Sequence, residues 1–145
     1  MGLFNRAKKP KAHKISSLDE LQPLLEGDRP ILIDFYQTSC APCQVMDGIV
    51  NELAREYPDS AHVVKADIHR VPGAIETFKI RSTPTLVILG KAPAKRSKKA
   101  RKRDRGTQPT EGAMRLRWRH SGLVKKDELI RVLETNGATR SAADG

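Results

Sequence analysis

Cysteine and aromatic residues are scarce in this 145-residue chain, which has two cysteines, one tryptophan and 4% aromatic residues. No hydrophobic run approaches the ~18 residues of a membrane span. The N-terminal segment also lacks the apolar stretch of ~7–15 residues found in secretory signals. We therefore expect a cytoplasmic protein with no transmembrane segment. In that compartment two cysteines would not form a lasting structural disulfide, so another role is expected for them.

Acidic residues are nearly missing from two segments. Residues 1–14 carry five Lys or Arg and no acid, and residues 91–119 carry twelve against two acids. The rest of the chain has ten basic and fifteen acidic residues, although the whole chain has a net charge of +10. The positive net charge therefore comes from two basic segments attached to a mildly acidic body.

The hydrophobic pattern predicts one α/β domain over residues 15–136. Apolar runs predict strands at 30–36 and 85–89, and alternation predicts strands at 62–68 and 114–120. Helical spacing predicts helices over about 16–25, 40–57, 72–78 and 126–134. This order favours a central mixed β-sheet with helices on both faces. We expect residues 1–14 to form a flexible basic arm and residues 137–145 a flexible tail.

The two cysteines form the most informative motif, Cys40-Ala41-Pro42-Cys43, directly after the first long apolar strand and at the start of a helix. A bridge across so short a loop constrains the unfolded chain little, so reversible dithiol–disulfide exchange is the better hypothesis. At a helix N-terminus, free N–H groups and the positive dipole end stabilise a thiolate. Cys40 is then the attacking sulfur, and Cys43, one turn further along, the resolving one.

Asp34 adds a carboxyl group inside the preceding apolar strand. Burial of an unpaired carboxylate is expensive, so its pKa should rise or it should have a partner. A solvent-exposed position at the strand end is the alternative. Four scattered histidines (His13, His62, His69 and His120) do not make up a four-ligand zinc site with the cysteines, and we expect no metal.

Five sequence blocks together resemble the thioredoxin family: Asp34–Tyr36, Cys40–Cys43, Lys65–Ile68, Ile80–Leu86 and Ser121–Leu123. The resemblance implies a thioredoxin-like fold and the activity of a protein-disulfide reductase. It implies that Asp34, with Lys65, transfers a proton to and from Cys43. It also implies a cis peptide bond at Thr83-Pro84. Thr83 and Pro84, together with Ala41 and Pro42, would contact the substrate.

The same resemblance implies disulfide-containing protein substrates and an upstream reductant, either a reductase or a small thiol. It implies no cofactor, and we expect a monomer. Tyr36 and Ser39 stand where the family usually has tryptophan, which reduces the apolar rim beside the thiolate. This departure leaves the choice of reductase and substrates open.

The basic insertion at 91–113 is the outlier of the chain, and its composition favours a disordered, solvated loop. Eight cations could bind nucleic acid, ribosomes or an anionic membrane surface through non-specific charge neutralisation. No aromatic residue lies between 91 and 113, so base stacking is not supported. An adaptor, or a redox sensor tethered to a polyanion, is therefore the alternative function. The eight cations are Lys95, Arg96, Lys98, Lys99, Arg101, Lys102, Arg103 and Arg105.

Overall fold

A computed structural model describes residues 11–91 and 114–141 of the chain. The strands are β1 (His13–Ile15), β2 (Ile31–Tyr36), β3 (His62–Asp67), β4 (Thr85–Lys91) and β5 (Met114–Ser121). The helices are α1 (Gln22–Leu25), α2 (Ala41–Glu56), α3 (Ala74–Phe78) and α4 (Lys126–Thr135), and a 3₁₀ turn at Leu18–Leu21 precedes α1. No helix within these two ranges is long and apolar enough to cross a membrane.

The five strands form one mixed sheet in the order β1-β3-β2-β4-β5. Strands β1, β3 and β2 run parallel, whereas β4 is antiparallel to both β2 and β5. The predicted α/β class with a central mixed sheet is confirmed. Strand β2 is central and buried at every residue except Tyr36, which is why its sequence is a continuous apolar run interrupted only by Asp34.

Helices cover both faces of the sheet, because alternate residues of each strand point to opposite sides. On one face, Leu32 of β2 and Ile88 of β4 pack with Met46 of α2 and Leu129 of α4. On the other, alternate strand residues including Ile33, Phe35 and Val87 pack against the N-terminal turn and α3. Asp34 has the same parity as Leu32, so its carboxyl group lies on the α2 face.

Two predicted boundaries were wrong. Strand β1 begins at His13, so His13 and Lys14 belong to the sheet rather than to a flexible arm. Ile15 anchors this short strand in the core, and so short a strand carries little periodicity in the sequence. Lys91 is the last residue of β4 rather than the first of an insertion.

The segment after α4 was also assigned incorrectly as a flexible tail. Ala138 is buried in the core. The side chain of Ser60 bonds the backbone of Thr139 in both directions, with its hydroxyl donating to the carbonyl oxygen at 2.7 Å. Arg140 forms an ion pair with Glu56 of α2 at 2.8 Å. A small apolar side chain and several specific polar contacts order residues 137–141, and composition alone did not reveal them.

Candidate active site

Cys40 is the N-cap residue of α2, and its sulfur accepts a hydrogen bond from the Cys43 backbone N–H at 3.2 Å. The two cysteines are joined by a disulfide, with their Cα atoms 5.2 Å apart. Cys40 is half-buried, whereas Cys43 is only 4% exposed. When the bond is reduced, the same N–H and the helix dipole favour a thiolate on Cys40 rather than on Cys43.

Ala41 and Pro42 form the first helical turn beside the disulfide, and both are exposed. Proline suits this turn because its missing N–H has no intrahelical acceptor to lose. The structure therefore places these two residues on the accessible rim of the cysteine pair, where a bound substrate chain could reach them.

The loop before β4 lies next to the disulfide, because Thr85 at the start of β4 pairs with Phe35 near the end of the adjacent strand β2. The Thr83–Pro84 peptide bond is cis, and Pro84 is buried. The Thr83 carbonyl oxygen lies 3.8 Å and its hydroxyl oxygen 3.7 Å from the Cys40 sulfur. Gly122, with φ of +95°, donates its N–H to the Pro84 carbonyl oxygen at 2.7 Å and anchors the loop to the end of β5. Residues 43 positions apart in sequence thus meet at one sulfur.

Asp34 lies in β2 with no exposed surface. Neither carboxyl oxygen has a hydrogen-bond partner within residues 11–91 and 114–141. The pKa of Asp34 is raised to about 7, chiefly by burial; the Lys65 ammonium opposes this shift, and the nearby Asp47 carboxylate makes a smaller upward contribution. A carboxyl group with this pKa can both accept and release a proton near neutral pH.

Lys65 lies opposite Asp34 in the parallel β2–β3 register. Its ammonium group nevertheless forms an ion pair with Asp47 of α2 and lies 5.3 Å from the centre of the Tyr36 ring. Lys65 acts on Asp34 through space, without a hydrogen bond between them. Asp47 was missed in the sequence, although its i+4 spacing from Cys43 on a helix was a usable signal.

A cavity of about 360 Å³ opens beside the buried cysteine. Its lining includes Tyr36, Cys43, Asp47 and Lys65. Cys43 lines this cavity and Cys40 does not, so the cavity lies on the Cys43 side of the disulfide. A buried thiol that must lose a proton during exchange needs a route to water or an internal base.

The remaining features named in the sequence are the insertion cations and the histidines. The eight insertion cations, from Lys95 to Arg105, fall outside the described residues. Of the histidines, His13 bonds Glu20, His69 bonds Gln37 and His120 bonds the Leu123 carbonyl. Within the described ranges, no group of three or more His, Cys, Asp or Glu is arranged to hold a metal ion.

The protein combines an α/β fold around a mixed β-sheet with a Cys-x-x-Cys disulfide at the start of a helix, and a proline loop lies beside that disulfide. These features define the class of α/β proteins with a CXXC redox centre. The family model described as Thioredoxin matches residues 14–108 of this chain. That match covers more than half of the chain, and the chain therefore belongs to the thioredoxin family.

Individual relatives agree with this assignment. The chain is 35% identical over 79 residues to Thioredoxin Y1, chloroplastic, of Arabidopsis thaliana, covering 54% of this chain and 45% of the relative. It is 44% identical over 62 residues to Thioredoxin-1 of Drosophila melanogaster, covering 43% and 58%. The chain thus spans about half the length of these curated relatives. A crystal structure of Malassezia sympodialis thioredoxin shares the fold, with a TM-score of 0.63, 18% identity and coverage of 88% and 92%.

Proposed function

We propose that this chain is a thiol–disulfide oxidoreductase that reduces disulfides in protein substrates. The observation that carries the proposal is the position of Cys40. Cys40 is half-buried, and its sulfur caps helix α2, receives the Cys43 N–H and forms a disulfide with the buried Cys43. This arrangement holds an accessible, stabilised thiolate and its resolving partner in one helical turn.

The proposed reaction begins with the dithiol form. The Cys40 thiolate attacks one sulfur of the substrate disulfide, forms a mixed disulfide and expels the other substrate sulfur as a thiolate. The Cys43 thiol then loses its proton and attacks the Cys40 sulfur. This step releases the second substrate sulfur and leaves the Cys40–Cys43 disulfide. The substrate gains two electrons, and an upstream thiol or reductase must return two electrons to the protein.

Proton transfer is assigned to Asp34. Its pKa of about 7 and its position on the α2 face support a role as the base that accepts the Cys43 proton. A water molecule is proposed to connect the two groups, because Cys43 borders a cavity that Asp47 and Lys65 also line. Lys65 assists electrostatically, because its charge opposes the upward shift of the Asp34 pKa. Thr83, Pro84, Ala41 and Pro42 are proposed to contact the substrate chain.

The proposed setting is the cytoplasm, where reducing systems return a dithiol to its reduced form, and the proposed active form is a monomer. We further propose that the insertion binds polyanions without sequence readout. Deleting residues 92–113 should then lower the salt concentration that elutes the protein from a heparin column. Unchanged elution would remove this part of the proposal.

Two cysteine variants test the enzymatic function. Wild type should accelerate the reduction of insulin disulfides by dithiothreitol, and Cys40→Ser should abolish the acceleration. Cys43→Ser should retain the attacking thiolate and accumulate mixed disulfides with substrate, visible on non-reducing gels and removed by excess dithiothreitol. The double variant is the matched control and should trap nothing. Substrate partners that persist equally in all three variants would favour the adaptor function instead.

A further inference from the structure

Three side chains form a directed hydrogen-bond chain that ends at the Cys40 sulfur. His69 Nε2 lies 2.8 Å from the Gln37 Oε1 atom. Gln37 Nε2 donates to the Thr83 hydroxyl oxygen at 2.9 Å. The Thr83 hydroxyl in turn donates toward the Cys40 sulfur across 3.7 Å. The residues come from three separate loops, which meet only in the folded protein.

The direction of each bond follows from the chemistry of the groups. The Gln37 carbonyl oxygen can only accept, so His69 supplies the hydrogen in that bond. The Gln37 amide N–H then occupies an acceptor site on the Thr83 oxygen. The single hydroxyl hydrogen of Thr83 is thereby left to point at the sulfur. Every bond has its donor on the side away from Cys40, so each polarises the next in the same sense.

We propose that Gln37 and His69 are positioning residues that orient the Thr83 hydroxyl as a donor to the Cys40 thiolate. This inference rests on the proposed function, because it assigns residues that tune the same attacking sulfur. A hydrogen bond from an uncharged donor to an anionic acceptor is stronger than one between neutral groups, so it favours the thiolate over the thiol. Without Gln37 and His69, the hydroxyl hydrogen is free to rotate toward other acceptors.

Burial differs along this hydrogen-bond chain. Gln37, Thr83 and Cys40 are half-buried, whereas His69 is exposed at the outer end. The two inner bonds are therefore partly shielded from water. Electrostatic interactions are stronger in such a shielded environment than in water. The largest effect on the sulfur is expected from Thr83, an intermediate effect from Gln37 and the smallest from His69.

The test is the pKa of the Cys40 thiol in the reduced protein. It is obtained from the pH dependence of the alkylation rate with iodoacetamide, and mass spectrometry identifies the modified cysteine. Thr83→Val keeps the side-chain shape but removes the donor, and should raise this pKa by about one unit, which corresponds to a roughly tenfold loss of thiolate stabilisation. Thr83→Ser restores a hydroxyl and should return the pKa toward the wild-type value.

Gln37→Met removes the amide at nearly constant length and should raise the Cys40 pKa in the same direction by less than Thr83→Val does. Combined with Thr83→Val it should add nothing further, because both variants interrupt one chain. Gln44→Met is the matched control, since it removes an exposed amide on α2, and it should leave the Cys40 pKa unchanged.

A raised pKa in Thr83→Val together with a wild-type pKa in Gln37→Met would overturn the inference, as would additive effects of the two variants. These outcomes are distinct from failure of the proposed function. A wild-type protein that reduces no disulfide refutes the enzymatic proposal, whereas the thiol pKa of each variant is measured without any substrate.

Discussion

The Lys65 ammonium group pairs with Asp47 of α2, although Asp34 is the residue directly opposite Lys65 in the β2–β3 register. The buried Asp34 carboxyl is consequently left without a hydrogen-bond partner in the described part of the chain. Asp47 therefore acts on Asp34 in two ways: it places a like charge nearby, and it engages the cation that would otherwise favour the ionised form.

Asp47→Asn is expected to lower the pKa of Asp34. The substitution removes the repulsion and leaves the Lys65 charge unbalanced, and both changes favour the carboxylate. An NMR titration of the Asp34 carboxyl carbon measures this shift directly. Glu52→Gln is the matched control, because it removes a negative charge from the same helix but one that pairs with Lys126. Equal Asp34 titration midpoints in wild type and Asp47→Asn would contradict this assignment.

The stability of the folded protein should depend on the ionisation of Asp34. Burial raises its folded-state pKa from an ordinary 3.8 to about 7, so the folded state holds this proton more tightly than the unfolded state. The stabilisation is complete below the ordinary pKa and is lost as the pH rises through about 7. A shift of this size corresponds to a loss of about 4 kcal/mol in the free energy of unfolding.

Asp34→Asn removes the titrating proton and should abolish that component of the pH dependence. Urea unfolding of both proteins between pH 4 and pH 8 measures it. The variant should be increasingly stable relative to wild type as the pH rises, and the difference should level off above the folded-state pKa. Other carboxyl groups with lowered pKa values, such as Glu56, have the opposite sign and are common to both proteins. A constant difference across the range would show that Asp34 does not titrate there.

Tyr57 supplies a buried polar link between α2 and α4. Its side chain has no exposed surface, and its hydroxyl donates to the Glu134 carboxylate at 2.6 Å. Burial, and next the bond to Glu134, raise the pKa of Tyr57 to about 12. Tyr57→Phe should lower the free energy of unfolding by about 1.5 kcal/mol at neutral pH, as expected for loss of a hydrogen bond to a charged group.

Chemical denaturation of Tyr57→Phe, Glu134→Gln and the double variant measures the coupling of this pair. The double variant should be less destabilised than the sum of the single ones, because either substitution alone weakens the same interaction. Fully additive effects would show that the contact contributes no pairwise stability.

Two glycines are expected to respond in opposite directions to alanine. Gly48 lies within α2 with no atom within 4 Å of an added Cβ, so Gly48→Ala should stabilise the protein by up to about 1 kcal/mol. A Cβ at Gly90 would lie 2.7 Å from the Asn136 Oδ1 and 3.2 Å from the Arg117 Cγ. Gly90→Ala should therefore cost about 1–3 kcal/mol through overpacking.

Thermal unfolding of these two variants provides a paired comparison. Both variants replace glycine with alanine, so each is the control for the other. The Asn136 side chain also donates to the Val132 carbonyl oxygen at 2.8 Å and helps to close the end of α4. Displacing it removes that bond as well. A Gly90→Ala protein as stable as Gly48→Ala would show that β4 and α4 separate easily at this point.

Local patterns were sufficient for most of the fold. Strands β2 and β4 are continuous apolar runs, and α2 has helical apolar spacing together with a cysteine at its cap, so each was predicted close to its observed bounds. Strand β1 and residues 137–141 were missed. Their order comes from a few long-range contacts, such as Ile15 in the core and Ser60 with Thr139, which leave no periodic signature in so short a segment.

The candidate site also has some residues that the sequence predicted and others that it did not. Cys40, Cys43 and the burial of Asp34 follow from a motif beside an apolar strand. The choice of Asp47 as the partner of Lys65 does not, since register alone places Lys65 opposite Asp34. The chain from His69 through Gln37 to Thr83 was equally hidden, because polar side chains in three loops carry no spacing that marks them as neighbours.

By itself the sequence determined the kind of chemistry available to this protein: two thiols at a helix start, and a carboxyl group forced into an apolar strand. Those features depend on residue type and local periodicity, which are properties of the sequence before it folds. Only the tertiary structure decided which charges and hydrogen bonds act on the two thiols. That choice depends on side-chain distances between segments remote in sequence. When interacting groups are 3–4 Å apart, moving one side chain is enough to change the group it pairs with.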